Sequence, residues 1–267
     1  MSWAEEGVGA LANQSVPGPG YGPRGLELMR AGSSAPQALQ RLLADDEQQE
    51  VRQLALVDRY GRVAAHTGAR CIREAGHRVA DGVSAQANIM GGSTVPGAML
   101  DAYGAADGDL ADRLLAALEA AEAEGGDLRG RQSAALRVVG ARADGQAAEV
   151  AVFDLRVEDD PDPVSELARL VAVRRAYRRV DAGDELAASG NFEAAFAEYT
   201  AAHESQPENA ELAFWRGVAL ASRGREEEAR RLLQAAYRDH EGWRELLRRL
   251  PAAGLFPDDP ALLDRLV

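Results

Sequence analysis

Five residue pairs in the last third of the chain stand 34 positions apart: Gly183 and Gly217, Leu186 and Leu220, Gly190 and Gly224, Ala195 and Ala229, Ala202 and Ala236. A fixed offset of this length marks a helical array, in which each unit buries its apolar face against a neighbour. Two of the pairs are glycines, placed by the spacing in mid-helix, where glycine costs about 1 kcal/mol against alanine. About two units fit, and roughly three are usually needed for independent stability. The helices are therefore expected to dock on the rest of the chain or on a second copy. The closing segment, GWRELLRRLPAAGLFPDDPALLDRLV, has apolar spacing suited to a capping helix.

The remaining sequence has a different texture. Before about residue 163 glycine is frequent and short alternating segments recur; Pro163 then suits the first turn of a long helix. The segment 7–15 reads as a strand, followed by a Pro/Gly loop and a short helix from Gly25 to Met29. Ala35 to Leu43 continues in helical spacing after two N-cap candidates, Ser33 and Ser34. Residues 53–58 and 62–68 form one hairpin, 83–90 a further strand, and Asp107 to Glu124 an amphipathic helix stopped by Gly125-Gly126. A second hairpin joins 133–142 to 148–157 around Asp144-Gly145. Antiparallel pairs interleaved with helices predict an α+β fold.

Charge and composition exclude several functions. The net charge is −13, and all 30 basic residues are arginine. An acidic surface repels phosphate backbones, so no nucleic-acid partner is expected. Without lysine there is no Schiff-base chemistry and no phosphate-loop lysine. Cys71 has no cysteine partner, and four histidines without an HExxH pattern give a metal centre little support. No cofactor is implied. No apolar run approaches the roughly 20 residues of a membrane span, and the acidic start, MSWAEEGVG, is unlike a signal peptide. A cytoplasmic location without membrane contact is the expectation.

Several polar groupings are candidates for chemistry. In GGDLRGRQSAAL, Asp127, Arg129, Arg131, Gln132 and Ser133 crowd between a helix end and a strand, and the arginines offer planar forks to a carboxylate. The plainer alternative is that Asp127 caps a turn and the arginines pair with nearby acids. Gln86 and Asn88 share a strand face and can donate to an oxyanion or brace a loop. Asn13, Gln14 and Ser15 allow the same two readings. His66 and His77 each lie beside glycine and are eligible bases or structural groups. Cys71 reads as a small buried hydrophobe rather than a reactive thiol. The acids of DLRVEDDPDP are contiguous, which suits a solvated turn better than a cation loop. Arg24, in GPRG, contacts a ligand or pins its loop to an acid.

Taken together, GVGALANQS, GYGPRGLELMRAG, VAAHTG, GHRVADGVSAQANIM, GGDLRGRQSAAL and DLRVEDDPDPVSEL resemble the bacterial and archaeal family known as domain of unknown function 1028, over residues 3 to about 178. That family is similar in fold to the N-terminal nucleophile (Ntn) hydrolases. The resemblance implies a four-layer αββα sandwich and amide hydrolysis by a Thr, Ser or Cys at the chain start, whose amine is the base. It also implies a departure: Trp3-Ala4 matches a point past an additional N-terminal hairpin, so the sandwich is expected to be truncated and inactive, with unpaired sheet and exposed apolar surface. Carried over by position, Asn88, Asp127 and Gln14 are the expected catalytic residues. Arg129, Arg131, Gln132, Ser133 and His66 are the expected substrate-binding residues. Residues 179–267 resemble a tetratricopeptide repeat, with Phe196 and Tyr199 as packing knobs and Pro207 ending a helix. The expectation is an amidohydrolase or peptidase-like domain, 1–178, acting on a small amide or peptide. The alternative is a non-catalytic protein that binds a protein partner through the repeat or a carboxylate through its arginines. A homodimer fits both.

Overall fold

Alternation in GALANQS and RQLALVD sorts their side chains onto two faces, and the computed structural model, which describes residues 1–140 and 152–267, has both as strands. They are central in a four-stranded antiparallel sheet, ordered β1 (Ser2–Glu5), β2 (Gly9–Ser15), β3 (Arg52–Asp58), β4 (Val63–Thr67). Leu11 lies opposite Leu56 and Asn13 opposite Leu54. Leu11, Leu54 and Leu56 therefore share a face. It is buried with Leu26 and Met29 of α1 (Tyr21–Arg30) and with Ala35, Ala38, Leu39 and Leu42 of α2 (Ala35–Ala44). Each buried leucine or methionine among them contributes roughly 1.5–3 kcal/mol by leaving water. Of the two expected caps, Ser34 is the one used: its Oγ accepts from Gln37 N, while Gln37 Oε1 accepts from Ser34 N.

The opposite face carries Gln14, Gln53 and Thr67 in one row across β2, β3 and β4. Against it packs an antiparallel ladder of β5 (Gly76–Ala80) and β6 (Val83–Ala87), β5 next to β4 and β6 next to β3. The helix α3 (Val95–Ala105) packs on both strands of this ladder, and α4 (Leu110–Ala123) packs on α3. A third ladder, β7 (Ala134–Val138) with β8 (Phe153–Val157), lies beside β1 and α4. The turn assigned to Asp144-Gly145 lies outside the described residues.

The structure departs from the sequence reading at identifiable points. The strand expected over 83–90 ends at Ala87, because Ile89 has φ +62° and leaves extended conformation. β1, β5 and α3 were not anticipated. GHRVA leaves three of its five residues exposed, and VPGAMLDAYGA carries proline and two glycines, so neither shows clear periodicity.

The described residues divide into two units, Met1–Arg169 and Leu170–Val267, with the division inside α5 (Pro163–Ala188), which starts at Pro163 as expected. The second unit continues with α6 (Phe192–Ser205), α7 (Ala210–Ala221), α8 (Glu226–Asp239), α9 (Gly242–Arg249) and α10 (Pro260–Leu266). A Cβ on Gly183 would stand 2.5 Å from the Tyr199 ring, and one on Gly217 2.9 Å from Leu233 Cγ. Tyr199 and Leu233 are themselves 34 positions apart, so the same close crossing recurs. The other glycine pair is not in mid-helix: Gly190 and Gly224 have φ +81° and +75° and turn the chain after α5 and α7. Phe214, Leu220, Leu233 and Tyr237 share a core with Leu247 and Leu266 of the last two helices, and Tyr237 Oη donates to Leu266 O at 3.1 Å. The closing segment therefore caps the array. Among the described residues no helix is long and apolar enough to cross a membrane.

Asp58 joins the first hairpin to α2. Its buried carboxylate accepts from Ala35 N at 3.0 Å, Tyr60 N at 2.9 Å, Arg62 N at 3.2 Å and Arg62 Nε at 2.7 Å. Burial alone would raise its pKa, but these donors outweigh it and hold the carboxyl below the usual range. A depressed carboxylate pKa contributes stability above the unfolded value, about pH 4, and loses it as pH falls through the folded value. Asp58→Asn should therefore lower stability by about 1–3 kcal/mol at neutral pH, with the gap to the parent narrowing below about pH 4 in urea titrations. Gly217→Val should lower the urea midpoint, through roughly 1–3 kcal/mol of overpacking against Leu233.

Candidate functional site

The interface between the four-stranded sheet and the β5–β6 ladder is polar at one end. Gln53 is fully buried. Its Nε2 lies 3.0 Å from Gly76 O and 2.9 Å from Ala87 O, two residues paired with each other across β5 and β6. Carbonyls only accept, so they fix the orientation of this amide. Its Oε1 accepts from Asn88 Nδ2 at 3.0 Å, and the same Nδ2 lies 3.2 Å from Gln14 Oε1. Gln14 Nε2 reaches Gln86 O and Gln86 Nε2 reaches Ala12 O, both at 3.4 Å. Gln86 Oε1 and Ser84 Oγ are buried without a partner.

Backbone strain brackets this seam. Among the described residues two non-glycine residues have positive φ, Ser15 at +66° and Ile89 at +62°. Each directly follows a seam amide, Gln14 or Asn88. Such conformations cost of order 1–3 kcal/mol each and persist where the surroundings dictate them.

The expected site residues fall into three groups. Gln14 and Asn88 meet in the seam, where both polar atoms of Gln14 and the Asn88 Nδ2 are engaged with other side chains and a carbonyl. Asp127 lies beyond it: Leu128 N donates to Ile89 O at 3.0 Å and Gly91 N to Gly126 O at 3.0 Å, knitting the two loops together. The Asp127 carboxylate accepts from Arg129 N at 2.8 Å, Arg129 Nε at 2.9 Å and Arg129 Nη2 at 2.6 Å. The Arg129 guanidinium and N–H hold its pKa below the usual value against the opposing effect of burial. Arg131 bridges Glu122 at 2.6 Å and Asp162 at 3.3 Å, while Gln132 and Ser133 are exposed and Gln132 O accepts from Asp160 N. His66 stands apart, with Nε2 2.9 Å from Gln49 O. Arg24 pairs with Asp45 at a hollow of about 270 Å³ also lined by Tyr21, Asp46 and Arg52. There Asp46 is held at about 2, chiefly by Arg52, and Tyr21 is pushed up to about 12 by burial and Asp46.

A second cleft, of about 500 Å³, is lined by Thr67, Gly68, Cys71, Arg73, His77 and Arg78 among others. Thr67 Oγ1 lies 2.8 Å from His77 Nδ1 and 3.1 Å from Gln53 Nε2. Burial first, then His66 and Arg78, lowers the His77 pKa and favours a neutral ring. Cys71 is buried, its Sγ 3.3 Å from Arg52 O. Gln53 and Thr67 escaped the sequence reading; a lone glutamine in the apolar run QLALV was the one available signal for the first. Among the described residues no group of three or more His, Cys, Asp or Glu side chains is placed to hold a metal ion.

Replacing Gln53 with leucine would leave the Gly76 and Ala87 carbonyls and the Asn88 amide short of a partner. Each such orphan costs roughly 1–3 kcal/mol, so Gln53→Leu should lower the unfolding free energy by about 3 kcal/mol in urea denaturation.

Comparison with known proteins places this geometry among relatives. The model of a family of unknown function, DUF1028, matches residues 1–167, and a tetratricopeptide repeat model matches residues 186–250. A solved structure assigned to the same DUF1028 family, of a protein from Silicibacter pomeroyi, is 31% identical, with a TM-score of 0.57 over 63% of this chain and 71% of that one. No curated protein matches.

Proposed function

We propose, from the premise that the chain belongs to the family of unknown function DUF1028, that its α/β unit is an Ntn-hydrolase-like sandwich that recognises amides. The observation that carries this reading is the carboxamide seam: Gln14, Gln53, Gln86 and Asn88 gather where two sheets face each other, and strained Ser15 and Ile89 close its ends. Carboxamides both donate and accept, as a substrate amide does, so they suit its recognition. The succession of α1 and α2, the four-stranded sheet, the β5–β6 ladder, and α3 with α4 supports the sandwich reading. Asn88, Asp127 and Gln14 then border the reacting amide. Arg129, Arg131, Gln132 and Ser133 flank it, and Arg131 must exchange an acid partner for a substrate carboxylate. The repeat serves to hold a protein partner, a reading supported by its family-model match.

The test is titration of the full chain with short N-acyl amino acids, read as a saturable rise in Tm. A rise is expected, and Gln14→Ala, which removes one amide from the seam's rim, should weaken binding by about tenfold, roughly 1.4 kcal/mol. No saturable shift with any of these amides would defeat this reading and favour the repeat's protein partner as the whole function.

A further inference from the structure

We propose that Thr67 and His77 form a nucleophile and base pair that accepts acyl groups from small carboxylate-bearing esters in the cleft between β4 and β5. This reaction does not rest on the amide reading and requires no reacting group at the chain terminus. Three observations carry it.

The first is the Thr67–His77 contact. Thr67 Oγ1 lies 2.8 Å from His77 Nδ1. With the ring neutral and its proton on Nε2, Nδ1 accepts from the hydroxyl, and this is the form that can take a proton from an attacking hydroxyl. The charged and titratable groups around His77 are His66 on β4, Arg78 beside it, and Cys71 and Arg73 of the connecting loop. None is a carboxylate, and His66 and Arg78 oppose protonation of the ring.

The second is access. Thr67 and His77 both line the cleft, whose volume of about 500 Å³ admits a small acyl compound. Cys71, the other potential nucleophile there, is buried with its thiol directed to Arg52 O.

The third is charge. Arg73 and Arg78 line the same cleft; the Arg73 side chain is 94% exposed and lies 4.0 Å from Glu74, the limit of an ion pair. Arg78 Nη1 donates to its neighbour's carbonyl, His77 O. These cations select a substrate with a carboxylate.

In the reaction Thr67 Oγ1 bonds to the acyl carbon, its proton passes to His77 Nδ1 and from there to the leaving oxygen, and the alcohol departs with the electron pair of the broken ester bond. Water then attacks the acyl group, giving one proton to His77, which passes it to Thr67 Oγ1 as that oxygen departs. The balance is ester plus water to acid plus alcohol.

The probe is the p-nitrophenyl monoester of succinic acid, incubated with the full chain and followed by intact and peptide mass spectrometry. The expected result is one succinyl group per chain, on the peptide bearing Thr67, absent in Thr67→Val and retained in Thr67→Ser. His77→Phe should slow acylation by about tenfold or more. The parent's rate should rise with pH to a plateau, with its midpoint below the usual imidazole value. Urea midpoints measured on the same samples separate a lost nucleophile from a lost fold, and Thr67→Ser keeps the test decisive if Thr67→Val is unstable. An unmodified Thr67 in the folded parent with no p-nitrophenol release above that of Thr67→Val, or label on Cys71 or elsewhere that survives Thr67→Val, would overturn the proposal. Amide titration reads a different ligand and response, so either reading can fail alone.

Discussion

A single buried carboxamide governs how the two facing sheets meet. Gln53 occupies a position on β3 whose neighbours in sequence, Leu54 and Leu56, point to the helices, so period-2 geometry turns it toward the β5–β6 ladder. Desolvating an amide is costly unless it is hydrogen-bonded. Gln53 meets this demand with the carbonyls of Gly76 and Ala87, one on each strand of the ladder, and with the Asn88 amide. Apolar contacts alone allow sliding; these directional bonds specify one register between sheets.

The same constraint shapes the polar surroundings. Asn88 is held between Gln53 and Gln14, and the chain leaves the seam through left-handed residues, Ser15 and Ile89. Past Ile89 the loop carrying Asp127 is fastened by main-chain bonds, while the Asp127 and Arg129 side chains close on each other. Arginines that look available in sequence thus have carboxylate partners. Where the row Gln14, Gln53, Thr67 reaches β4, the packing opens instead, leaving a hydroxyl and an imidazole beside two arginines in a cleft.

The helical unit follows a different physics. Its units meet at glycines that admit a neighbouring side chain, Tyr199 in one and Leu233 in the next. A Cβ at either site would intrude on the crossing, which offsets the propensity cost of mid-helix glycine. The last two helices supply Leu247 and Leu266 to the same core and so cover the apolar end of the stack.

Local periodicity and cap chemistry determined the strands at 9–15 and 52–58, the helices at 35–44, 110–123 and from Pro163, and the 34-residue repeat. Those signals arise from residues a few positions apart and survive without a fold around them. The partnership of Gln14 with Asn88 was visible as two polar candidates without a link; the link is a hydrogen bond between residues 74 positions apart. Likewise HTG and GHR each exposed one half of the Thr67 and His77 pair, and nothing in either motif names the other. The glycine pair Gly190 and Gly224 was assigned to helices because spacing alone cannot distinguish a close crossing from a left-handed turn. Tertiary structure decided these matters, since which polar groups become buried, and therefore must find partners, depends on how whole sheets stack rather than on any local run of residues.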